Sequence, residues 1–138
     1  MVGIVIVCHS NKLAEGILHE VRMFSKTCPI AIAGGDDNNN YGTSYTKIKQ
    51  AINNVCSNDG VCVLADIGSS IMTAQMIIEE LNDDKIKLVD CPLIEGAIVA
   101  SISSELNDNI ITVVTKALNT KIENKLVWVL LINIYMCN

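Results

Sequence analysis

The chain has 138 residues and a formal net charge of −5, with 50% hydrophobic but only 4% aromatic residues. This length predicts a single domain, with a core built from aliphatic side chains. The acidic balance and the lack of a basic stripe argue against a nucleic-acid-binding protein.

None of the six cysteines forms a C-x-x-C pair, and most of them lie inside apolar runs. This pattern predicts reduced, buried thiols rather than a disulfide framework, a redox site or a metal site. The first apolar run has no basic region before it, so we expect no signal peptide. The apolar run Leu126–Met136 has 11 residues, whereas a membrane span needs about 20. We therefore expect a cytoplasmic protein with no membrane partner.

Strand-like and helix-like patterns alternate along the chain. Four apolar runs have the composition of buried parallel strands: Val2–Cys8, Pro29–Ala33, Val61–Ala65 and Ile86–Val89. Helical periodicity predicts five helices, with apolar positions over 13–24, 48–55 and 72–81, a fourth helix from Leu93 through Ser103, and a fifth from Asp108 or Asn109 through Leu118. Thr43 or Ser44 is positioned to cap the second helix.

This alternation predicts an α/β fold with three layers. We expect a mainly parallel four-stranded sheet in the order 2-1-3-4, with helices on both faces. The apolar segment near the C-terminus does not fit the alternation. We divide the chain into a domain over residues 1–120 and an atypical tail over residues 121–138, expected to add an edge strand or a helix. An exposed apolar tail would promote aggregation, so we expect it to be covered, for example in a dimer.

Two candidate catalytic residues follow neighbouring strands. His9 follows the first strand and Asp66 follows the third, so the expected topology places them side by side although 57 positions separate them. The order of the strands reverses direction between these two strands, and ligands of open α/β folds bind at such a switch point. A carboxylate that accepts a hydrogen bond from one imidazole nitrogen fixes the tautomer, and we expect the other nitrogen to be basic and directed at solvent. The pair therefore predicts a nucleophilic histidine.

Groups suited to binding an anion surround this pair in the expected fold. Ser10 begins the first helix, and Gly68-Ser69-Ser70 begins the third. Helix N-termini offer free backbone N–H groups that favour negative charge. The arrangement predicts a site for a phosphoryl group. His19 falls opposite the apolar face of the first helix, so we expect it to be exposed and without a catalytic role.

Several motifs occur in order along the chain: Ile4–Ser10, Leu13–Gly16, Ile30–Gly35, Gly42-Thr43, Asp66–Ser70 and Pro92–Gly96. In these motifs the chain resembles the mannose-type enzyme IIA domain family of the phosphotransferase system (PTS). Within that family it is similar to the phosphotransfer subunits, DhaM, of the phosphoenolpyruvate-dependent dihydroxyacetone kinases. The resemblance covers residues 1 to about 118. Cys8 departs from the small residue, such as serine, expected at that position, and the tail does not resemble the family.

The resemblance implies a phosphotransferase in which His9 accepts a phosphoryl group from the phosphocarrier HPr. His9 would pass the group to ADP held by the DhaL subunit, and the ATP formed would phosphorylate dihydroxyacetone bound to DhaK. Asp66 would orient His9. The phosphate pocket would be lined by Ser10, Thr43, Gly68, Ser69 and Ser70.

The resemblance also implies a homodimer with no metal or other cofactor in this subunit. Some relatives carry fused HPr and enzyme I domains, and we expect these to be separate proteins here.

Three other interpretations remain open at this point. The chain could be the IIA component of a mannose-class sugar transporter, with a histidine or cysteine of a IIB component as acceptor. It could be a regulatory module that uses His9 to dock a partner without transferring the group. A thiol redox protein using Cys8 is the third.

Overall fold

The structure, a computed structural model, describes residues 1–122 and 124–126. Its strands are β1 (Gly3–Cys8), β2 (Ile30–Gly34), β3 (Val61–Ala65) and β4 (Ile86–Leu88). Its helices are α1 (Asn11–Val21), α2 (Tyr45–Val55), α3 (Ser69–Leu81), α4 (Leu93–Glu105) and α5 (Ile110–Asn119). Strands and helices therefore occur in the predicted order.

The four strands form one parallel sheet in the order β2-β1-β3-β4, which confirms the predicted topology. In the register of the central strand, Ile6 pairs with Ile32 on one side and with Leu64 on the other. All six residues of β1 are buried. A strand covered on both faces accounts for an apolar run without polar alternation.

Helices cover both faces of the sheet, as predicted. Ile4 and Ile6 pack into one core with residues of α1, α4 and α5. Val5 and Val7 point to the opposite face, into a second core with residues of α2 and α3. Since successive side chains of a strand alternate between faces, the single run of β1 supplies both cores.

Polar residues at the helix starts behave as the sequence indicates. Ser44 caps α2, where its hydroxyl accepts a hydrogen bond from the Lys47 N–H at 3.1 Å. Asn109 caps α5 through the Thr112 N–H at 2.9 Å. These caps satisfy donors that a helix leaves free in its first turn.

The predicted edge element of the tail lies outside the described residues, because most of residues 121–138 do. Where the chain leaves α5, Lys121 Nζ lies 3.0 Å from Asp90 Oδ2. The division at residue 120 stays a prediction.

Across the described part of the chain, no helix combines the length and the apolar character needed to cross a bilayer.

Two glycines test how closely the layers pack. A Cβ at Gly3 would lie 2.4 Å from the Val55 carbonyl oxygen, whereas a Cβ at Gly16, on the exposed side of α1, would meet nothing within 4 Å. We predict that Gly3→Ala lowers the free energy of unfolding by about 1–3 kcal/mol through overpacking. Gly16→Ala should raise it by roughly 0.5–1 kcal/mol, since alanine favours a helix. Urea denaturation of both variants checks this, and equal effects would contradict the packing described for β1 and α2.

Candidate functional site

The sheet brings His9 and Asp66 together at its carboxyl edge. His9 follows β1 and Asp66 follows β3, and the Asp66 N–H donates to the Val7 carbonyl oxygen at 3.0 Å, continuing the pairing of the two strands. The His9 N–H then donates to Asp66 Oδ2 at 2.9 Å. The pairing of the strands therefore brings the Asp66 carboxylate within reach of both the backbone and the ring of His9.

The imidazole is held by the Asp66 carboxylate through Nδ1. This nitrogen lies 3.0 Å from Oδ1 and 3.2 Å from Oδ2. Partial burial favours the neutral acid, but hydrogen bonds from the backbone N–H groups of His9 and Ile67, together with those from the His9 and Ser70 side chains, outweigh it and lower the pKa of Asp66. An ionised carboxylate can only accept hydrogen bonds, so we assign the proton of the neutral imidazole to Nδ1.

The second ring nitrogen is not free, which differs from the expectation that it faces solvent. Nε2 of His9 lies 2.9 Å from Ser69 Oγ. With the proton on Nδ1, Nε2 accepts this hydrogen bond and the serine hydroxyl donates it. The His9 side chain is 30% exposed, so a reactant can reach Nε2 once the hydrogen bond from Ser69 is broken.

A glycine turn directs this serine at the ring. Gly68 has φ 51° and ψ −117°, and the Ser70 N–H donates to the Ile67 carbonyl oxygen at 3.2 Å. These values match the first central residue of a type II′ turn, where glycine dominates. A Cβ at Gly68 would meet nothing within 4 Å. The backbone conformation, and not lack of space, therefore requires glycine here.

Thr43, Ser69 and Ser70 form a cluster of three hydroxyl groups, called the hydroxyl cluster. Thr43 Oγ1 lies 2.7 Å from Ser69 Oγ and 3.4 Å from Ser70 Oγ, and Ser70 Oγ lies 3.1 Å from Nδ1 of His9. Ser70 is fully buried and Ser69 is exposed. Ser69 therefore stands at the mouth of the site, with Ser70 behind it.

The loop between β2 and α2 positions Thr43. The Gly42 N–H donates to the His9 carbonyl oxygen at 2.9 Å. Asp36 Oδ1 accepts the N–H of Asn40 at 2.9 Å, and Lys47 Nζ donates to the Gly34 carbonyl oxygen at 3.0 Å. Neither Asp36 nor Lys47 is among the residues predicted from the sequence to belong to the site. An aspartate ahead of consecutive asparagines is typical of a side-chain-supported turn, and it was the available signal.

Ser10 has a different position from the other predicted pocket residues. It caps α1, where its hydroxyl accepts from the Leu13 N–H at 3.3 Å. Its hydroxyl makes no hydrogen bond to His9, Ser69 or Thr43 within the described residues. Ser10 thus contributes the start of a helix beside His9, and its role in phosphate binding stays a prediction.

Two further residues test the selectivity of the site. His19 is exposed on α1, as predicted. Cys8 is 1% exposed. Burial, together with the nearby charge of Asp66, raises the pKa of the Cys8 thiol to about 12. A thiol that stays protonated and buried is unreactive, which argues against the redox interpretation.

The arrangement combines a nucleophile with donors for an anion. Nε2 of His9 carries the lone pair, the Ser69 hydroxyl lies beside it, and the Thr43 hydroxyl lies beside Ser69. The first turn of α3 adds the positive end of a helix dipole. Such a site can take a phosphoryl group on the imidazole and stabilise its oxygens.

A family model described as the PTS system fructose IIA component, EIIA-man, matches residues 3–114. The chain belongs to the EIIA-man family. The matched region contains every residue of the site.

Curated relatives carry the name of one kind of subunit. A phosphoryl donor subunit DhaM of PEP-dependent dihydroxyacetone kinase from Escherichia coli is 36% identical over 86% of this chain. The aligned region covers only 27% of that relative. A DhaM subunit of dihydroxyacetone kinase 2 from Listeria innocua is 33% identical over 78% of this chain and 89% of its own length. The chain is therefore related to DhaM subunits of very different lengths.

A solved structure shares the fold. The phosphotransferase system component EIIA from Streptococcus agalactiae has a TM-score of 0.68 and 21% identity, covering 88% of this chain and 92% of that one. This likeness extends the agreement in sequence to the architecture of the whole domain.

Replacing Asp66 with asparagine tests the hydrogen bonds of its carboxylate. Each oxygen of Asp66 accepts a backbone N–H, from His9 or from Ile67, so an amide group must face one of these donors. We predict that Asp66→Asn lowers the free energy of unfolding at neutral pH by about 1–3 kcal/mol.

The pH dependence has a definite sign. The folded-state pKa of Asp66 lies below its unfolded value of about 3.9. The stabilisation is therefore present above about pH 4 and is lost as the pH falls through the folded-state pKa. Chemical denaturation at pH 7 and pH 3 should show the gap between wild type and variant shrinking in acid. A gap that widens in acid would contradict the assignment.

Proposed function

We propose that the protein is a phosphohistidine carrier in which Nε2 of His9 is the phosphorylated atom. The observation that carries the proposal is the Nδ1–Asp66 contact at 3.0 Å, together with the Ser69 hydroxyl at Nε2. Membership of the EIIA-man family supports the same chemistry. Asp66 and the hydroxyls of Ser69, Ser70 and Thr43 have the supporting roles in this proposal.

Loading is a transfer between two imidazoles. The Nε2 lone pair of His9 attacks phosphorus, the N–P bond of the donor phosphohistidine breaks, and the donor imidazole keeps the electron pair. The proton on Nδ1 stays in place, and the Asp66 carboxylate stabilises the positive charge that develops on the ring. No proton has to leave His9 in this step.

We further propose HPr as the donor and ADP on a DhaL subunit as the acceptor, with DhaK using the resulting ATP. The names of the relatives support this assignment, since they are phosphoryl donor subunits of dihydroxyacetone kinases. In discharge, an oxygen of the ADP β-phosphate attacks phosphorus and the His9 imidazole leaves. A homodimer in the cytoplasm belongs to the same proposal.

Exposed apolar side chains near the site support a protein partner. Ile67 and Met72 are 68% and 72% exposed on the side of α3, and Tyr41 is 88% exposed on the loop side. Each of them lies within two positions of Asp66, Ser70 or Thr43 along the chain, and exposed apolar groups at a site favour an interaction surface. Direct transfer between two proteins requires such a surface, because the reacting atoms have to approach within bonding distance.

A second candidate is the IIA component of a sugar transporter, with a IIB component as acceptor. The description of the matching family as a fructose IIA component favours it. Both candidates share the loading step, and they differ only in the acceptor.

His9→Ala tests the loading step. We predict that incubation with phosphoenolpyruvate, enzyme I and HPr adds one acid-labile phosphoryl group to the wild-type protein and none to this variant. His19→Ala is the matched control, since this histidine is exposed in the last turn of α1, and it should load fully. Intact-mass analysis measures the adduct, and an adduct on His9→Ala would refute the assignment.

Competition between acceptors decides the pathway. We predict that ADP-loaded DhaL removes the phosphoryl group from the loaded protein and forms ATP, whereas a IIB component leaves the group in place. Transfer to IIB alone would establish the transporter assignment. A phosphohistidine that neither acceptor discharges would indicate the regulatory interpretation instead.

A further inference from the structure

Counting hydrogens fixes which hydroxyl donates in the contact between Ser69 and Thr43. Ser69 has one hydroxyl hydrogen, and the neutral imidazole with its proton on Nδ1 requires that Ser69 donate it to Nε2. The 2.7 Å contact between Thr43 Oγ1 and Ser69 Oγ then has only one possible donor. The Thr43 hydroxyl donates to Ser69.

Because the Thr43 hydroxyl donates to Ser69, it restricts the orientation of the Ser69 hydroxyl. A hydroxyl that accepts from Thr43 is held in one rotamer, and its own hydrogen is directed toward the ring. Hydrogen bonds in such a chain strengthen one another. Thr43 itself is half-buried behind the exposed Ser69, so Ser69 meets an incoming group first.

In the unphosphorylated protein, the hydrogen bond from Ser69 to Nε2 blocks the attack of Nε2 on phosphorus. The Ser69 hydrogen occupies the Nε2 lone pair that has to bond to phosphorus. Once the N–P bond forms, Nε2 has no lone pair left to accept a hydrogen bond. The same hydrogen then needs an acceptor close to its former one, and the oxygens of the phosphoryl group supply it.

We propose that Thr43 is a positioning residue that acts through Ser69. Its hydroxyl hydrogen fills the acceptor side of Ser69, so that Ser69 donates to Nε2 at rest and to a phosphoryl oxygen during and after transfer. This replaces direct phosphate binding by Thr43 with an indirect role. The inference rests on the proposed function for its kinetic part and on the resting geometry alone for its spectroscopic part.

A double-mutant cycle tests the indirect role. Thr43→Val removes the hydroxyl and keeps the shape, and we expect loading from phosphorylated HPr to slow about tenfold, because Ser69 then no longer holds its hydrogen bond to the charged phosphoryl group. Thr43→Ser should load at close to the wild-type rate. In a Ser69→Ala background, Thr43→Val should change the rate by less than about twofold, because the link through Ser69 is already absent.

Three kinetic results would overturn the proposal. The first is that the losses multiply in the double variant, which would place Thr43 directly on the phosphoryl group. The second is an unchanged rate in Thr43→Val. The third is a Thr43→Ser variant that is as slow as Thr43→Val. Thr46→Val is the matched control, since Thr46 is exposed at the start of α2, and it should not alter the rate. If Thr43→Val does not fold, Thr43→Ala replaces it with the same expectations.

Nuclear magnetic resonance of the unphosphorylated protein separates this proposal from the proposed function. At one fixed pH, Thr43→Val should shift the ¹⁵N resonance of His9 Nε2 in the same direction as Ser69→Ala, and Thr43→Ser should not shift it. An unchanged resonance in Thr43→Val would overturn the link. If the wild-type protein is never phosphorylated, the proposed function fails while this measurement still decides the link between Thr43 and Ser69.

Discussion

The parallel pairing of β1 with β3 is the constraint on which the site depends. It continues past the last paired residues, so that the Asp66 N–H bonds to Val7 and the His9 N–H bonds to the Asp66 carboxylate. The same carboxylate accepts a hydrogen bond from Nδ1 of the ring. The geometry of the pair is therefore set by the pairing of β1 with β3 and by the backbone N–H groups that hold the Asp66 carboxylate. A histidine held in this way loses little conformational entropy when it reacts.

Ser69 and Ser70 contact the ring, and Thr43 contacts Ser69. The turn at Gly68 presents Ser69 and Ser70 from the start of α3, and the loop before α2 presents Thr43. Their hydroxyls supply donors for an anion without adding a positive charge. This suits a carrier, since a phosphoryl group bound too tightly would not pass to its acceptor. The fold thus places His9 and Asp66 directly after strands, and the hydroxyls at the start of α3 and in the loop before α2.

The fold was largely predictable, because buried parallel strands leave an unusually clear pattern. The order of the strands placed His9 beside Asp66, and the helix caps followed from polar residues such as Ser44. The contact between Ser69 and Nε2 was not predictable, since it depends on side-chain directions after the turn at Gly68. Nor were the hydrogen bonds of Lys47, because a lysine on an amphipathic helix usually points to solvent. Local pattern therefore predicted the His9–Asp66 hydrogen bond and the helix caps, but not the hydrogen bonds of Ser69 and Lys47.

The central claim is that Asp66 holds Nδ1 and leaves Nε2 as the nucleophile. The most direct measurement is a long-range ¹H–¹⁵N correlation spectrum of the phosphorylated protein labelled with ¹⁵N-histidine. It distinguishes the two possible phosphohistidine isomers by the shifts of the ring nitrogens. The account predicts phosphorus on Nε2, with the proton on Nδ1 retained beside Asp66. Phosphorus on Nδ1 would contradict it, because the group would then have to displace the carboxylate that positions the ring.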